Sequence, residues 1–383
     1  MCNNKSMERI GILGGTFNPV HNEHVALAVL AVEELKLDKL IVMPTYLSPH
    51  KNSLPASEKD RLAMLNLAFN GKEKIVVSDY EIQKMGKSYT YQTIEYFKQN
   101  YDAELFFIVG ADMLVDFKTW RYPERILAGA TLAVFDREDF SADFDKEQKY
   151  FIERFNKQYK RLSYCGGEIS STKIRVYSQF GLSLEGLADK KVEEYIKENN
   201  LYMADESVEY VKKRLPEKRL KHTADVAITA LKRAKELGLD ENKVFTACVL
   251  HDSAKYVDKE KVQGFSLDDD VPQPVVHSFL GAYLVEKELN IKDQDVLDAI
   301  KYHTSGKPQM TTLGKLVFVA DMIEEGRNYE GVESLRELYE KGDFEKCFIE
   351  CLKEEVLHLL NKKQYIYKST LDAYDYYVNE RKN

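Results

Sequence analysis

Five short apolar runs alternate with helical patterns in the first half of the chain, and no strand-like run follows residue 203. The runs are Ile10–Leu13, Leu40–Met43, Ile75–Val77, Leu105–Val109 and Thr131–Phe135, each of buried-strand length. Between them lie helical stretches such as 58–69, which Ser57 opens with Asp60 three residues on, the spacing of a helix cap. Strands that alternate with helices need crossover connections, and crossovers build a parallel sheet covered by helices. Beyond Asp205 the pattern is helical throughout: 217–237, 241–253, 277–289, 293–302, 312–325 and 344–361. A chain of 383 residues exceeds what one core usually serves. The change at Met203-Ala204-Asp205 therefore predicts two domains, an α/β doubly wound parallel sheet over 1–203 and an all-α domain over 204–383.

Apolar and charged residues, at 44% and 31%, are in the proportions of an ordinary soluble protein. No apolar run is long enough for a membrane span, and "MCNNKSMERIGIL" carries no charged-then-apolar targeting pattern. The cysteines Cys2, Cys165, Cys248, Cys347 and Cys351 include no CxxC pair; Cys347 and Cys351, four apart in a helical stretch, read as core thiols, and the chain as a reduced, cytoplasmic protein. A formal charge of −8 argues against a polynucleotide partner, so phosphate ligands must be met by local cations and backbone N–H groups. A homo-oligomer stays open. The run Asp268-Asp269-Asp270 reads as a solvated loop.

The first strand runs into "GGTFNPVHNEH", residues 14–24, and then a helix. Open α/β sheets bind ligands beyond their C-terminal strand ends, where a helix N-terminus offers free N–H groups and partial positive charge. Gly14 and Gly15 let the backbone come close to a phosphate there. His21 and His24, three residues apart in the first turn, fall on one helix face and can donate to a phosphate oxygen.

G-x-F-x-P-x-H-x-x-H after a strand resembles the signature of the nucleotidyltransferase family with the HxGH motif, and its second signature is matched by "ISSTKIR", 169–175. Where that family usually has Gly, this chain has Glu23. The resemblance implies a Rossmann-like fold and a nucleotide site formed by Gly14, Gly15, Thr16, Phe17, His21, His24, Gly110, Ser171, Thr172 and Arg175. Ser171 and Thr172 would cap a helix onto triphosphate oxygens, Lys173 would add charge, and Arg175 suits bidentate phosphate contact.

Within that family, residues 7–203 look most like nicotinate-nucleotide adenylyltransferases, on "PTYLSPHK" (44–51), "SYTYQT" (88–93), "GADMLVDFKTW" (110–120) and "YIKENNLY" (195–202). Gln92 stands where the family often has Asp. By this likeness Lys51 reaches the phosphates, Thr90 holds a carboxylate, Asp112 binds ribose hydroxyls or orients the triphosphate, and Trp120 stacks a pyridine ring. The implied reaction is attack by nicotinate mononucleotide on the α-phosphorus of ATP, carried with Mg²⁺, without a covalent enzyme intermediate.

In the helical half, His222, His251-Asp252, His277, His303 and Asp321 are spread too widely for a local zinc knuckle, but a bundle can gather them on inward faces. Imidazole and carboxylate without thiolate suit iron, manganese or zinc. The order H…HD…H…H…D resembles the HD-domain metallophosphohydrolases. The words "KHTADVA", "VLHDSAK", "VVHSFLGA" and "IKYHTSGKPQMTTLGKLVFVADMIEEGR" look like their symmetrical bis(5′-nucleosyl)-tetraphosphatase group. That likeness implies one metal, most simply iron, on His222, His251, Asp252 and Asp321. A second would sit on His277 and His303, with Asp252 bridging. Two such ions clamp a phosphate and activate water. Lys255 and Arg327 are candidates to neutralise phosphate charge, against surface ion pairs as the plain alternative. The substrate implied is diadenosine tetraphosphate, split into two ADP. Transfer to another acceptor, such as nicotinamide mononucleotide or phosphopantetheine, and a helical half that senses nucleotide without turnover are the alternatives.

Overall fold

The computed structural model describes residues 7–46, 55–137, 142–167, 169–267 and 270–379. Lys51 lies outside the described residues, as do Asp268 and Asp269. Two compact units emerge: 1–178 with 183–202, and 179–182 with 203–383.

The first unit is built on six parallel strands: β1 (Glu8–Gly15), β2 (Lys39–Pro44), β3 (Ile75–Val77), β4 (Ala103–Gly110), β5 (Thr131–Arg137) and β6 (Lys160–Gly166). The order β3-β2-β1-β4-β5-β6 is that of a doubly wound sheet. Ile10 and Ile12 of β1, Leu40–Met43 of β2 and Leu105–Val109 of β4 are buried. A central parallel strand covered on both faces must be apolar at nearly every position, which is why these runs were legible. β6, with only Leu162 buried, is a polar edge strand that no apolar run announces.

The strand order reverses between β1 and β4. Crossovers leave these two neighbours in opposite directions, so a crevice opens beyond their C-terminal ends. The turn 16–21 after β1 and the turn at Gly110-Ala111 after β4 border it. Helix α1, Asn22–Glu34, starts directly from the first of them.

The second unit has no strand among its described residues. Its main helices are Glu217–Ala234, Glu241–Leu250, Gln273–Glu288, Gln294–Tyr302, Thr312–Ile323 and Phe344–Asn361. Asp240, Asp293, Thr311 and Asp343 cap four of them by accepting first-turn N–H groups. The helix expected from residue 277 begins at Gln273, because Pro272 and Pro274 suit a helix start. Short helices Glu206–Lys212, Val332–Glu340 and Lys368–Tyr374 were not anticipated. Among the described residues no helix is long and apolar enough to cross a membrane.

Candidate active sites

Beyond β1 the chain turns on Phe17, in the left-handed region at φ 46° and buried. Its ring lies over Gly15, where a Cβ would come within 2.9 Å of it. Gly15 is thus required by Phe17, whereas a Cβ at Gly14 would make only ordinary contact, at 3.8 Å. The Thr16 carbonyl accepts from Arg61 Nη1 at 2.9 Å, while Nη2 reaches the Tyr46 carbonyl at 3.2 Å. Arg61 is fully buried, and burial pulls its guanidinium below the ordinary value, opposed by Glu58 and Tyr202. It sits among Met64, Leu65 and Ala68 on the inward face of helix Glu58–Ala68. A cation in that apolar stripe was the signal that sequence reasoning missed.

His21 precedes the first turn of α1 and His24 lies in it, their ring centroids 3.6 Å apart. The His21 backbone N–H donates to His24 Nδ1 at 3.2 Å, which makes Nε2 the protonated nitrogen of a neutral His24 ring. The Phe17 ring meets His24 edge-on at 4.9 Å and fixes its orientation.

The two sequence signatures meet on the backbone of Asn18-Pro19. Ser171 Oγ donates to the Pro19 carbonyl at 2.8 Å, and Arg175 Nη1 to the Asn18 carbonyl at 2.9 Å. Arg175 Nη2 donates to Thr172 Oγ1 at 3.1 Å. Ser170 Oγ accepts the Lys173 N–H at 3.1 Å, a cap one residue before the Ser171-Thr172 pair. Lys173 is buried, 5.9 Å from the Tyr177 ring centroid. Tyr202, in the closing motif, donates to Asn18 Oδ1 at 2.6 Å.

Gly110 ends β4 and caps helix Ala111–Asp116, in whose first turn Asp112 stands. Thr90 is the first residue of helix Thr90–Asn100. Trp120 is partly buried, packed at 5.2 Å on Phe117 and edge-on at 6.2 Å to Phe107.

In the second unit the six expected ligands converge. Asp252, buried, sits at the centre. Its Oδ1 is 3.0 Å from His277 Nε2 and 3.6 Å from His303 Nε2, while Oδ2 is 3.7 Å from His251 Nε2 and 4.0 Å from His222 Nε2. Each carboxylate oxygen therefore faces a different pair of imidazoles. Asp321 Oδ1 lies 3.1 Å from His222 Nε2 and 4.0 Å from His251 Nε2.

Three of the four far nitrogens are already committed. His251 and His303 each stand at a helix C-cap and turn Nδ1 back to a carbonyl three residues earlier, Cys248 at 2.6 Å and Ile300 at 2.7 Å. His222 Nδ1 meets the buried Glu324 carboxylate at 3.0 Å. Such bonds fix the tautomer that leaves Nε2 as the ligand atom. Glu324 was missed by sequence reasoning, although its spacing of three from Asp321 puts both on one face.

Burial holds the His251 imidazole down at about 3 and lowers His277. Burial works to raise the Asp252 and Asp321 carboxyls but is outweighed, by His251, His277 and His303 for the first and by Arg327 and His222 for the second; both stay well below the usual range. Burial, helped by the charge of Asp321, pushes Glu355 up to about 7, with Arg327 opposing. Neutral imidazoles at His251 and His277 beside ionised carboxylates suit a cation site; burial also works to lower His222, but its hydrogen bonds with Asp321 and Glu324 outweigh it and raise this imidazole. His251 Nε2 is buried without a hydrogen-bond partner, and 3.7 and 4.0 Å to carboxylate oxygens is too long for one. His222, His251 and Asp321 form one potential metal-holding group, and His251, Asp252 and His303 another. The donor set fits a divalent cation.

Cations border the cluster. Lys255 Nζ is 3.7 Å from Asp252 Oδ1 and 3.1 Å from His277 Nε2. Arg219 Nη1 donates to Asp252 Oδ2 at 2.9 Å. Arg327 is paired with Asp321, its Nε donating to the backbone carbonyl at 2.7 Å and its Nη2 to the carboxylate.

Comparison with known proteins agrees with both halves. A model described as cytidylyltransferase-like matches residues 12–176 and the HD-domain model matches 219–326. The "Probable nicotinate-nucleotide adenylyltransferase/Ap4A hydrolase" of Mycoplasma genitalium is 31% identical over 329 residues, covering 84% of this chain and 89% of its own. The chain belongs to this adenylyltransferase/hydrolase family. Each half also has single-function relatives. The "Probable nicotinate-nucleotide adenylyltransferase" of Clostridium tetani is 39% identical over 51% of this chain and 100% of its own. The symmetrical bis(5′-nucleosyl)-tetraphosphatase of Bacillus subtilis is 36% identical over 46% of this chain and 97% of its own.

Proposed function

We propose that this family member is a bifunctional enzyme. Residues 1–203 transfer the adenylyl group of ATP to nicotinate mononucleotide, giving deamido-NAD and pyrophosphate. Residues 204–383 hydrolyse diadenosine tetraphosphate symmetrically to two ADP. Relatives that carry both functions in name support this reading, and the observation that carries the hydrolase half is the two-sided placement of Asp252.

In the transferase, His24 and His21 at the start of α1 donate to the phosphates of ATP as charge develops in transfer. Arg175 and Ser171, seated on the same turn, together with Thr172 and Lys51 hold the triphosphate with its Mg²⁺. Gly14, Gly15, Thr16, Phe17 and Gly110 shape the backbone around the nucleotide. Asp112 takes ribose hydroxyls, Thr90 the nicotinate carboxylate, and Trp120 the pyridine face. No covalent nucleophile is needed, since the acceptor phosphate attacks the α-phosphorus directly.

A carboxylate-selective acceptor site leaves donors unpaired when an amide nitrogen replaces an oxygen. The specificity constant for nicotinate mononucleotide is therefore expected to exceed that for nicotinamide mononucleotide by at least ~10-fold. Steady-state kinetics with both acceptors checks this, and equal constants would refute it. Trp120→Ala is expected to raise the KM of the acceptor more than that of ATP.

In the hydrolase, His222, His251 and Asp321 would hold one cation, His277 and His303 a second, and Asp252 both. Iron is the first candidate, with manganese and zinc as alternatives. The ions supply Lewis acidity toward the phosphate chain. Glu324 orients His222 through Nδ1, while Lys255 and Arg327 offset phosphate charge. The protein works in a reduced cytoplasm, in keeping with the buried, unbridged Cys248, Cys347 and Cys351.

The two activities are expected to separate. The fragment 1–203 retains the sheet and Tyr202, whose hydroxyl braces Asn18, and should fold and transfer adenylyl groups at near-wild-type rates. Activity and a thermal melt of the fragment check this. An inactive or insoluble fragment would place part of the first site, or of its core, beyond residue 203.

A further inference from the structure

Glu23 is the position at which this chain departs from the usual glycine between the two histidines, and its carboxylate is engaged. Oε2 accepts the Gly167 N–H at 2.6 Å and Oε1 accepts the Ile169 N–H at 3.2 Å. Tyr164 donates its hydroxyl to the Glu23 backbone carbonyl at 3.3 Å. A Cβ at Gly167 would come within 2.6 Å of Glu23 Oε1, so the close approach depends on glycine there.

These contacts have a direction. Glu23 lies between His21 and His24, and Ile169 opens the segment that supplies Ser171, Thr172 and Arg175. Asn18 and Pro19 already tie that segment to the turn after β1 through Arg175 and Ser171. Glu23 adds a charge-assisted tie, of the kind that outweighs a neutral hydrogen bond, on the other side of the histidines. A carboxylate in the first turn would otherwise compete with a phosphate for the positive end of α1. Two backbone N–H groups from 167–169 satisfy it instead.

We propose that Glu23 is a positioning residue of the transferase, a strut that sets the spacing between the His21/His24 turn and the phosphate-holding segment 169–175. The proposal rests on the adenylyltransferase reading. It specifies what replaces the glycine here: a bond between the two signatures in place of a bare approach to the nucleotide.

The test uses the full-length chain with Glu23→Ala, Glu23→Gln and Gly167→Ala, and the double variant E23A/G167A. In Glu23→Ala, hydrogen exchange at the Gly167 and Ile169 amides should speed up while the thermal midpoint stays close to wild type. The kcat of adenylyl transfer should fall about tenfold or more, since misplacement of about an ångström can cost that much. The KM for nicotinate mononucleotide should be unchanged. Glu23→Gln, which keeps one acceptor oxygen, should recover part of the loss. Gly167→Ala should reduce kcat by itself but add nothing in the Glu23→Ala background, where the atom it displaces is gone. Unchanged exchange at both amides, unchanged kcat, or additive losses in the double variant would each overturn the strut. A wild type that forms no deamido-NAD would overturn the transferase reading, and the positioning role with it. In that case the exchange data still report whether the bond exists.

Discussion

Asp252→Ala is expected to lose both cations and to reduce diadenosine tetraphosphate hydrolysis by more than ~100-fold, above the 10–100-fold typical of a lost outer-shell partner. The reason is geometric. One oxygen of Asp252 faces His277 and His303 and the other faces His222 and His251, so its loss removes a carboxylate that faces both sets. His303→Ala removes a nitrogen from one set and should deplete mainly one ion. Elemental analysis of wild type and both variants, with melting curves to confirm folding, reads this out. Equal metal content in wild type and Asp252→Ala would remove Asp252 from the site. A metal-free wild type that still cleaves the tetraphosphate would end the metallohydrolase account. Adenylyl transfer should be unaffected in both variants.

The next largest effect is expected at the first site. His24→Ala and Arg175→Ala should each lower adenylyl transfer by ~10²-fold or more, the cost of removing one preorganised donor to a charged transition state. Phe17 and the His21 N–H hold His24 so that Nε2 carries its proton. Arg175 also braces Asn18, so its loss has a structural component. Arg175→Lys separates the two, since a lysine keeps the charge but loses the planar fork. It should recover little. Single-turnover rates with folding verified by circular dichroism check both variants, and near-full turnover in either would remove it from the phosphate site.

Most of the central sheet was legible because a parallel strand buried on both faces leaves an unbroken apolar run, as at Leu105–Val109. β6 escaped because an edge strand needs only one buried residue, here Leu162. The helical half was legible as helix, with ends displaced by a few residues where prolines or caps, not periodicity, set the start. Among candidate site residues, those proposed to carry chemistry stood in a fixed order: the paired histidines at the start of α1 and the six-residue histidine and aspartate series. Those that act by holding others did not. Arg61, Glu324 and Tyr202 are ordinary residue types whose meaning comes from a carbonyl, an imidazole or an amide brought near by the fold. Glu23 was visible only as a departure, and its partners at 167 and 169 lie 144 and 146 residues away.

The chain is expected to carry two independent catalytic sites. A crossed assay tests it most directly: wild type, His24→Ala and Asp252→Ala are each given ATP with nicotinate mononucleotide, and separately diadenosine tetraphosphate, and the nucleotides are resolved by chromatography. Wild type should form deamido-NAD from the first mixture and ADP alone from the second. His24→Ala should lose deamido-NAD and keep ADP, and Asp252→Ala should do the reverse. A wild type that forms neither product, a variant that loses both, or AMP and ATP in place of ADP from the tetraphosphate would contradict it.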